Sequence, residues 1–373
     1  MKLLLKNFEY TYKNILWIDL ETFSELKLSK IGSYRYAEDC EILLWAWAFN
    51  DDSVHVWDVT VDPEPPVDLL LALFEADTIG WHNGNNFDRM VIKNSRYAKL
   101  IEGKKYFDTM VQAYQHALPG GLALLCTIFD LSEDVAKAKE GKSLVRLFSQ
   151  PLPKNQKGYR ATRYTHPEEW QKFIDYAHND ILAMRTIHKL IPKWNLTENE
   201  YNLQQLDQRI NDRGFAIDTD LCEKAIKMLS EEKQERDERT SELTLGEVSA
   251  ATQRDKLLQY LCEIWGAYLP DMQKSTLERC LLDENLLDTV KELIVLRLDS
   301  AANNTKKYSK FLDIACADGR VRGTLQFRGA FRTGRHAARL VQPQNMVRPS
   351  LPWEEIEFGI DSIKGGYYDL CYR

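Results

Sequence analysis

Three apolar runs open this chain in close succession: "NILWIDL" (14–20), "EILLWAWAF" (41–49) and "SVHVWD" (53–58). Rich in Ile, Val, Leu and Trp, and separated by short polar breaks, they read as β-strands. Helical spacing then enters between them. "VDLLLALFEA" (67–76) has a helical pattern, and "DTIGWHN" (77–83) looks like the next short strand. "FDRMVIKNSRYAKLI" (87–101) and "WQKFIDYAHNDILAMRTIHKLI" (170–191) carry apolar residues at the i, i+3/i+4 positions of amphipathic helices. Strands interleaved with helices predict a three-layer α/β domain, and few other arrangements satisfy that alternation.

After "IPKWNLTENE" the texture changes. From 197 to 312 the chain is mostly helical in pattern, punctuated by Gly214, Gly246 and Gly266. The segment "CEKAIKMLSEEKQERDERTSEL" (222–243) concentrates charge on one face, as a solvated helix surface does. From 319 the stretch "GRVRGTLQFRGAFRTGRHAARLVQPQN" shows period-two alternation and many arginines. The expected organisation is an α/β domain over 1–195, a helical domain over 196–312 and a short β-rich basic tail over 313–373.

Composition sets outer limits. At 373 residues and 44% hydrophobic content, the chain is long enough for two or three packed cores. A formal charge of −7 excludes a uniformly basic nucleic-acid coat but leaves room for a local basic groove. Seven cysteines, scattered from Cys40 to Cys371, never form a CxxC pair. That sets aside the usual zinc spacings and a disulfide framework, and fits a reducing compartment. The start "MKLLLKNFEY" falls short of a signal-peptide core, and the longest apolar run, "ILLWAWAF" (42–49), is too short to span a bilayer. The expectation is a soluble cytoplasmic protein with no membrane partner.

The acids carry the chemistry. In "WIDLETFS" (17–24), Asp19 and Glu21 flank one leucine at the end of a strand, so both side chains point to one face. Alone, such a pair is also what a solvated strand end looks like. In "GWHNGNNFDRMVI", Asp88 stands where a strand gives way to a helix, and a plain helix cap would explain it. Its company argues for more: Trp81, Asn83, Asn85, Asn86 and Phe87 make a polar, aromatic loop of the kind that carries sites. In "FIDYAHNDILAMRTI", Tyr176 and Asp180 are four apart and share a helix face flanked by Phe173, Ala177, Ile181 and Met184. An acid on an inward face is costly unless it is paired or binds a metal. Four converging carboxylates repel one another, and divalent cations neutralise them. Oxygen-only ligands favour Mg²⁺ or Mn²⁺ over zinc, and two such ions roughly 4 Å apart clamp an in-line phosphodiester hydrolysis.

The set "DLE", "HNGNNFD" and "YAHND", in this order and at these separations, resembles the three motifs of the DEDDy 3′–5′ exonucleases. Tyr176, four residues before the last acid, indicates the tyrosine subclass; the sister subclass has a histidine at the position held here by Asp175. "KAKEGKSLVRLFSQP" and the 166–187 segment resemble the exonuclease domain of phage-type family A DNA polymerases. "LDQRINDRGFAID" (206–218) and "LRLDSAANNTKKYSKFLD" resemble segments around their helical thumb, and "RTGRHAARLVQPQN" the start of their palm. The resemblance implies a ribonuclease H-like exonuclease domain, a thumb-like domain and an incomplete palm-like segment. It implies two Mg²⁺ (or Mn²⁺) ions. Asp19, Glu21 and Asp180 would hold the tighter ion, with Asp19 bridging to a second held by Asp88 largely through water. Tyr176, helped by Glu21, would orient the attacking water; Asn83 and Phe87 would shape the site beside the 3′-terminal nucleotide, and Thr22 and Phe23 would line it.

The chain departs from that family in its last third. The palm motifs D-[YF]-S-x-I-E and H-D-E do not occur, the fingers lysine motif is missing, and "MVRPS" breaks the I-P-x-R spacing. The expectation is an exonuclease without a polymerase site, either a shortened polymerase or one half of a split enzyme whose palm and fingers come from another polypeptide. Arg320, Arg322, Arg328, Arg332, Arg335 and Arg339, interleaved with Phe327 and Phe331, read as a phosphate-contacting surface, joined by Lys306, Lys307, Gln344 and Asn345. The expected substrate is DNA with a single-stranded or frayed 3′ end, in the cytoplasm of a bacterial host if the protein is phage-encoded. An RNA-trimming DEDD nuclease and a non-catalytic DNA-holding half of a split polymerase are the alternatives.

Overall fold

The computed structural model describes residues 13–131, 138–156, 158–266, 269–301, 305–346 and 348–372. The order begins β1 (Ile15–Phe23), α1 (Leu28–Ala37), β2 (Glu41–Phe49), β3 (His55–Asp58), α2 (Val67–Glu75), β4 (Thr78–Trp81) and α3 (Asp88–Asn94). It continues with β5 (Lys105–Asp108), α4 (Thr109–Gln115), α5 (Leu122–Ile128), α6 (Ala138–Phe148), α7 (Pro167–Leu190), α8 (Glu198–Arg213) and β6 (Phe215–Ala216). Five helices follow: α9 (Thr219–Leu243), α10 (Arg254–Trp265), α11 (Lys274–Cys280), α12 (Asp288–Ala301) and α13 (Thr305–Ile314). Then come β7 (Arg320–Val321), β8 (Leu325–Ala330), β9 (Arg335–Ala338) and α14 (Trp353–Gly365). Two compact units result, one of the described residues up to Ile217 with Asp313–Met346, the other of Asp218–Leu312 with the described residues from 348 onward.

In the first unit five strands form one mixed sheet in the order β3-β2-β1-β4-β5. β1 is antiparallel to β2 and parallel to β4, which is parallel to β5. The long apolar runs exist because helices cover both faces of the central strands. Leu16, Ile18 and Leu20 face one core with Leu69 of α2 and Ile92 of α3. Ile15, Trp17 and Phe23 face the other, with Phe148 of α6 and Phe173 and Ile181 of α7. Each such fully buried side chain contributes about 1.5–3 kcal/mol. The β1–β2 register shifts at the site end: Glu21 pairs with Leu44 but Thr22 with Ile42. Leu43 is thus the extra residue of a bulge, and Leu43 and Leu44 both turn to the α7 side.

The expected strands over 14–20, 41–49, 53–58 and 77–83 correspond to β1 to β4, with β1 running on through the acids to Phe23. The helix expected over 87–101 is shorter. α3 ends at Asn94 because Ser95 is extended (ψ 173°) and its hydroxyl donates to the Ile92 carbonyl at 2.8 Å.

The second unit is helical among its described residues, around a core of Val248, Leu257, Leu261, Leu277, Leu293 and Ile294. The charged face of α9 carries i, i+4 ion pairs such as Lys233–Asp237 and Glu232–Arg236, which is how a solvated helix face disposes its charge. The expected β-rich tail is β only through Ala338. Past Met346 the chain forms α14, opened by Pro352 and by Glu354 and Glu355 in the first turn. Cys40, Cys126, Cys222, Cys262, Cys280 and Cys316 are free thiols. Among the described residues no helix is long and apolar enough to cross a membrane.

Candidate active site

Alternation along β1 turns Asp19 and Glu21 to the face that carries α7, whose Tyr176 and Asp180 stand one turn apart. Carboxylate oxygens of Asp19, Glu21 and Asp180 lie within 4.8 Å of one another. Asp88 arrives from α3 at the end of the neighbouring parallel strand. It is not the helix cap, a position taken by Phe87 without a capping side chain. Its Oδ1 instead accepts the Leu20 N–H at 2.9 Å, the amide between the two β1 acids. All four carboxylates line one cleft of 760 Å³ together with Tyr176, Asn83, Phe87 and Thr22.

Glu21 and Asp88 are buried, Asp19 and Asp180 half-buried. Burial first, and then the like charges of Asp180, Asp88 and Glu21, push the Asp19 carboxyl well above the ordinary carboxylate range. Glu21 rises for the same reasons, from burial and then Asp180 and Asp88. Burial lifts Asp88 to about 7 against the pull of backbone donors, and Asp180 to about 6 against a hydrogen bond from Tyr176. The Tyr176 phenol is pushed up by burial and then by Asp180, Glu21 and Asp19, so it stays protonated and acts as a neutral hydrogen-bonding group. Clustered, desolvated carboxylates of this kind suit a hard divalent cation, whose charge removes the repulsion that raises them.

The loop that delivers Asn83 and Asp88 is held by Asp108. This buried acid, at the end of β5, accepts from the N–H groups of Asn83 (2.9 Å), Asn85 (3.2 Å) and Met110 (2.9 Å). Asn83 takes a left-handed turn (φ 65°), and its Oδ1 is buried without a hydrogen-bond partner among the described residues. At Gly84 the backbone crosses so close over Trp81 that a Cβ would meet its ring at 2.2 Å. Trp81 Nε1 donates to Asn85 Oδ1 at 2.8 Å, closing the loop.

The other expected residues are placed variously. Thr22 hydrogen-bonds to the Tyr36 hydroxyl at 3.0 Å within the cleft wall. Phe23 lies in the core under the Arg160 guanidinium, 3.8 Å from its ring centre, and does not line the cleft. Arg328 is engaged by Glu200 through two hydrogen bonds of 2.8 and 2.5 Å. Arg322 is held likewise by Asp318, and Arg320 donates to the carbonyls of Arg213 and Gly214. Arg332 and Arg335 are exposed, as are Gln344 and Asn345. Lys307 is half-buried on α13; the Lys306 side chain lies outside the described ones.

Sequence reasoning left several cleft residues without a role. Lys142 and Arg146 line it from α6, Lys27 from the β1–α1 connection, and His82 from the asparagine loop. A signal was present in the i, i+4 spacing of the two α6 cations within "KAKEGKSLVRLFSQP". Asp108 carries no local mark beyond ending a short strand.

No family model matches the chain. A DNA polymerase of Bacillus phage SP02 is 36% identical over 360 residues, which take in 95% of this chain and 54% of the phage protein. The chain therefore spans about half the length of the curated relative it matches. Among solved structures, the POL domain of Pol1 from M. smegmatis, in complex with DNA primer-template and dNTP, matches with a TM-score of 0.52 at 14% identity. That match covers 90% of this chain and 52% of the other, and is a likeness of fold. The resemblance to phage DNA polymerases is borne out at this level: over nearly its whole length the chain is similar to about half of one such protein.

Proposed function

We propose that the chain is a two-metal-ion 3′–5′ exonuclease on DNA, the proofreading part of a phage family A replicative DNA polymerase, built on a ribonuclease H-like domain. The observation that carries this reading is the convergence of Asp19, Glu21 and Asp180 within 4.8 Å, with Asp88 tethered to the amide between the first two. All-oxygen donors at this spacing fit Mg²⁺ or Mn²⁺. Asp19, Glu21 and Asp180 would hold one ion, with Asp19 also facing a second beside Asp88. When bound, such ions lower the pKa of a water and neutralise charge on the leaving 3′ oxygen.

The chain's own residues do the rest. Tyr176, kept neutral, orients the attacking water with Glu21. Asn83 lines the cleft where it would meet the terminal nucleotide, with Phe87 and Thr22 shaping the wall beside it. Attack at phosphorus breaks the P–O3′ bond and releases a nucleoside 5′-monophosphate. A single-stranded or frayed 3′ end is required, because an intact duplex does not bring its terminal linkage into a cleft of this size. The helical second unit we take as thumb-like. No nucleotidyl transfer is proposed for these residues, since the palm carboxylate motifs do not occur among them.

The test is incubation with a 3′-mismatched primer–template in Mg²⁺, Mn²⁺ or EDTA, with and without dNTPs, read on a sequencing gel. Metal-dependent shortening without extension is expected. Failure to shorten in either Mg²⁺ or Mn²⁺ overturns the exonuclease, and extension overturns the missing palm.

A further inference from the structure

Helix α6 has two working faces. Leu144 and Phe148 are buried, and Phe148 stacks on Phe173 of α7 at 5.0 Å and meets Trp170 edge-on at 4.9 Å. One turn earlier, a Cβ on Gly141 would come within 2.2 Å of Tyr176 Cε2, so the helix backbone rests directly on the ring of that tyrosine. The adjoining face, Lys142, Val145, Arg146 and Ser149, follows the i, i+3, i+4, i+7 spacing and lines the same cleft as the four acids. The packing that seats α6 on Tyr176 thereby fixes where its two cations stand.

Lys142 and Arg146 are exposed, and neither forms an ion pair or side-chain hydrogen bond with a described residue. The cleft thus has an acidic floor and a basic wall that do not satisfy each other. A ligand complementary to both carries a chain of negative charge along the wall while presenting one linkage to the cation-binding floor. A single nucleic-acid strand has that form. Side chains one helical turn apart, with Cβ atoms about 5–6 Å from each other, can each take a neighbouring phosphate. We propose that Lys142 and Arg146 grip the phosphates of the DNA strand entering the cleft; this rests on the exonuclease reading and names how its substrate is held. They bind rather than react, and Gly141 sets their distance from Tyr176.

The test uses the full chain and a 5′-labelled thymidine tetranucleotide, short enough to report on the cleft. Its Kd is measured in EDTA across a salt series for the wild type, Lys142→Ala/Arg146→Ala and the conservative Lys142→Arg/Arg146→Lys. Losing two phosphate contacts on a single strand should weaken binding about tenfold and make the slope of log K against log salt shallower by about 1.4. The conservative pair should restore both. In Mg²⁺, KM for the same tetranucleotide should rise by a similar factor while kcat moves far less. An alanine pair with wild-type affinity and slope overturns the grip, even if the chain degrades DNA. Conversely, a wild-type slope that the alanine pair loses, in a protein that hydrolyses nothing with any divalent ion, removes the exonuclease reading and leaves the grip standing.

Discussion

The Asp88 carboxylate accepts the backbone N–H of Leu20 at 2.9 Å, so the acid carried by α3 is fastened to the strand between Asp19 and Glu21. This bond joins α3 to β1 and sets the fourth acid beside the other three at one strand end. The arrangement is unfavourable in itself, since burial and mutual repulsion raise every one of these carboxyls. A divalent cation bound there would offset the repulsion.

Asp19→Ala should therefore separate activity from stability. Metal-dependent shortening of a 3′ end is expected to fall to background, while the metal-free variant melts at or above the wild-type temperature because a desolvated like charge has been removed. Gel assays and thermal melts in EDTA check both halves. Wild-type activity in this variant would refute the site assignment.

Two glycine substitutions should have opposite outcomes. Gly359→Ala lies in α14 with nothing within 4 Å of the new Cβ, and should stabilise by about 0.5–1 kcal/mol, the ordinary helix preference for alanine. Gly141→Ala places its Cβ 2.2 Å from the Tyr176 ring, and should lower kcat at least tenfold by displacing that side chain. Equal activity in the two variants would mean that α6 does not position Tyr176.

Arg89 is fully buried and bonds to Asp212 at 2.9 and 2.5 Å, while Tyr34 donates to the same carboxylate at 2.7 Å. Asp212→Ala leaves a buried guanidinium uncompensated and should cost about 3–5 kcal/mol. Urea unfolding of the variant measures it, and a loss below about 1 kcal/mol, typical of an exposed pair, would contradict the burial argument.

Acid stability should depend on His188. Its ring packs beside Trp17 and Phe107, its Nδ1 lies 2.9 Å from Gln112 Oε1, and burial holds its pKa down to about 3 from 6.5. The unfolded chain takes up this proton near 6.5 and the folded chain only near 3, so the stability it contributes is complete above 6.5 and lost as pH falls toward 3. His82, half-buried and held down to about 4 by desolvation, acts with the same sign. Asp88 and Asp180, raised in the metal-free protein, act with the opposite sign, so the informative quantity is a difference. Urea-derived stability of His188→Asn should vary less steeply than wild type between pH 6.5 and 4; parallel curves would exclude the histidine.

The arginines of the 320–339 stretch should divide by partner. Arg328→Ala orphans Glu200, a largely buried acid, and should lower stability. Arg332→Ala with Arg335→Ala removes exposed charges, leaves the melting temperature within a degree or two, and should weaken DNA binding with a flatter salt dependence. An unchanged salt slope would assign these two to ordinary solvated surface.

Local pattern was enough for much of this molecule. Period two told that Asp19 and Glu21 share a face, and a spacing of four told the same of Tyr176 and Asp180, because a side chain's direction follows from the repeat of its own element. The alternation of strands with helices likewise implied a sheet layered between helices. What local pattern could not supply was the partner across the fold. Asp88 looks like a helix cap along the chain, and becomes a tether to Leu20 only because β1 and β4 pair in parallel and bring α3 to the strand end. Arg322 and Arg328 read as free cations, yet Asp318 holds one and Glu200, from α8, the other. Asp108 and Gly141 gave no signal, since their roles consist of contacts with the asparagine loop and the Tyr176 ring. Periodicity encodes which way a side chain faces; which group it meets is settled by long-range packing, and at this site the chemistry depends on the meeting.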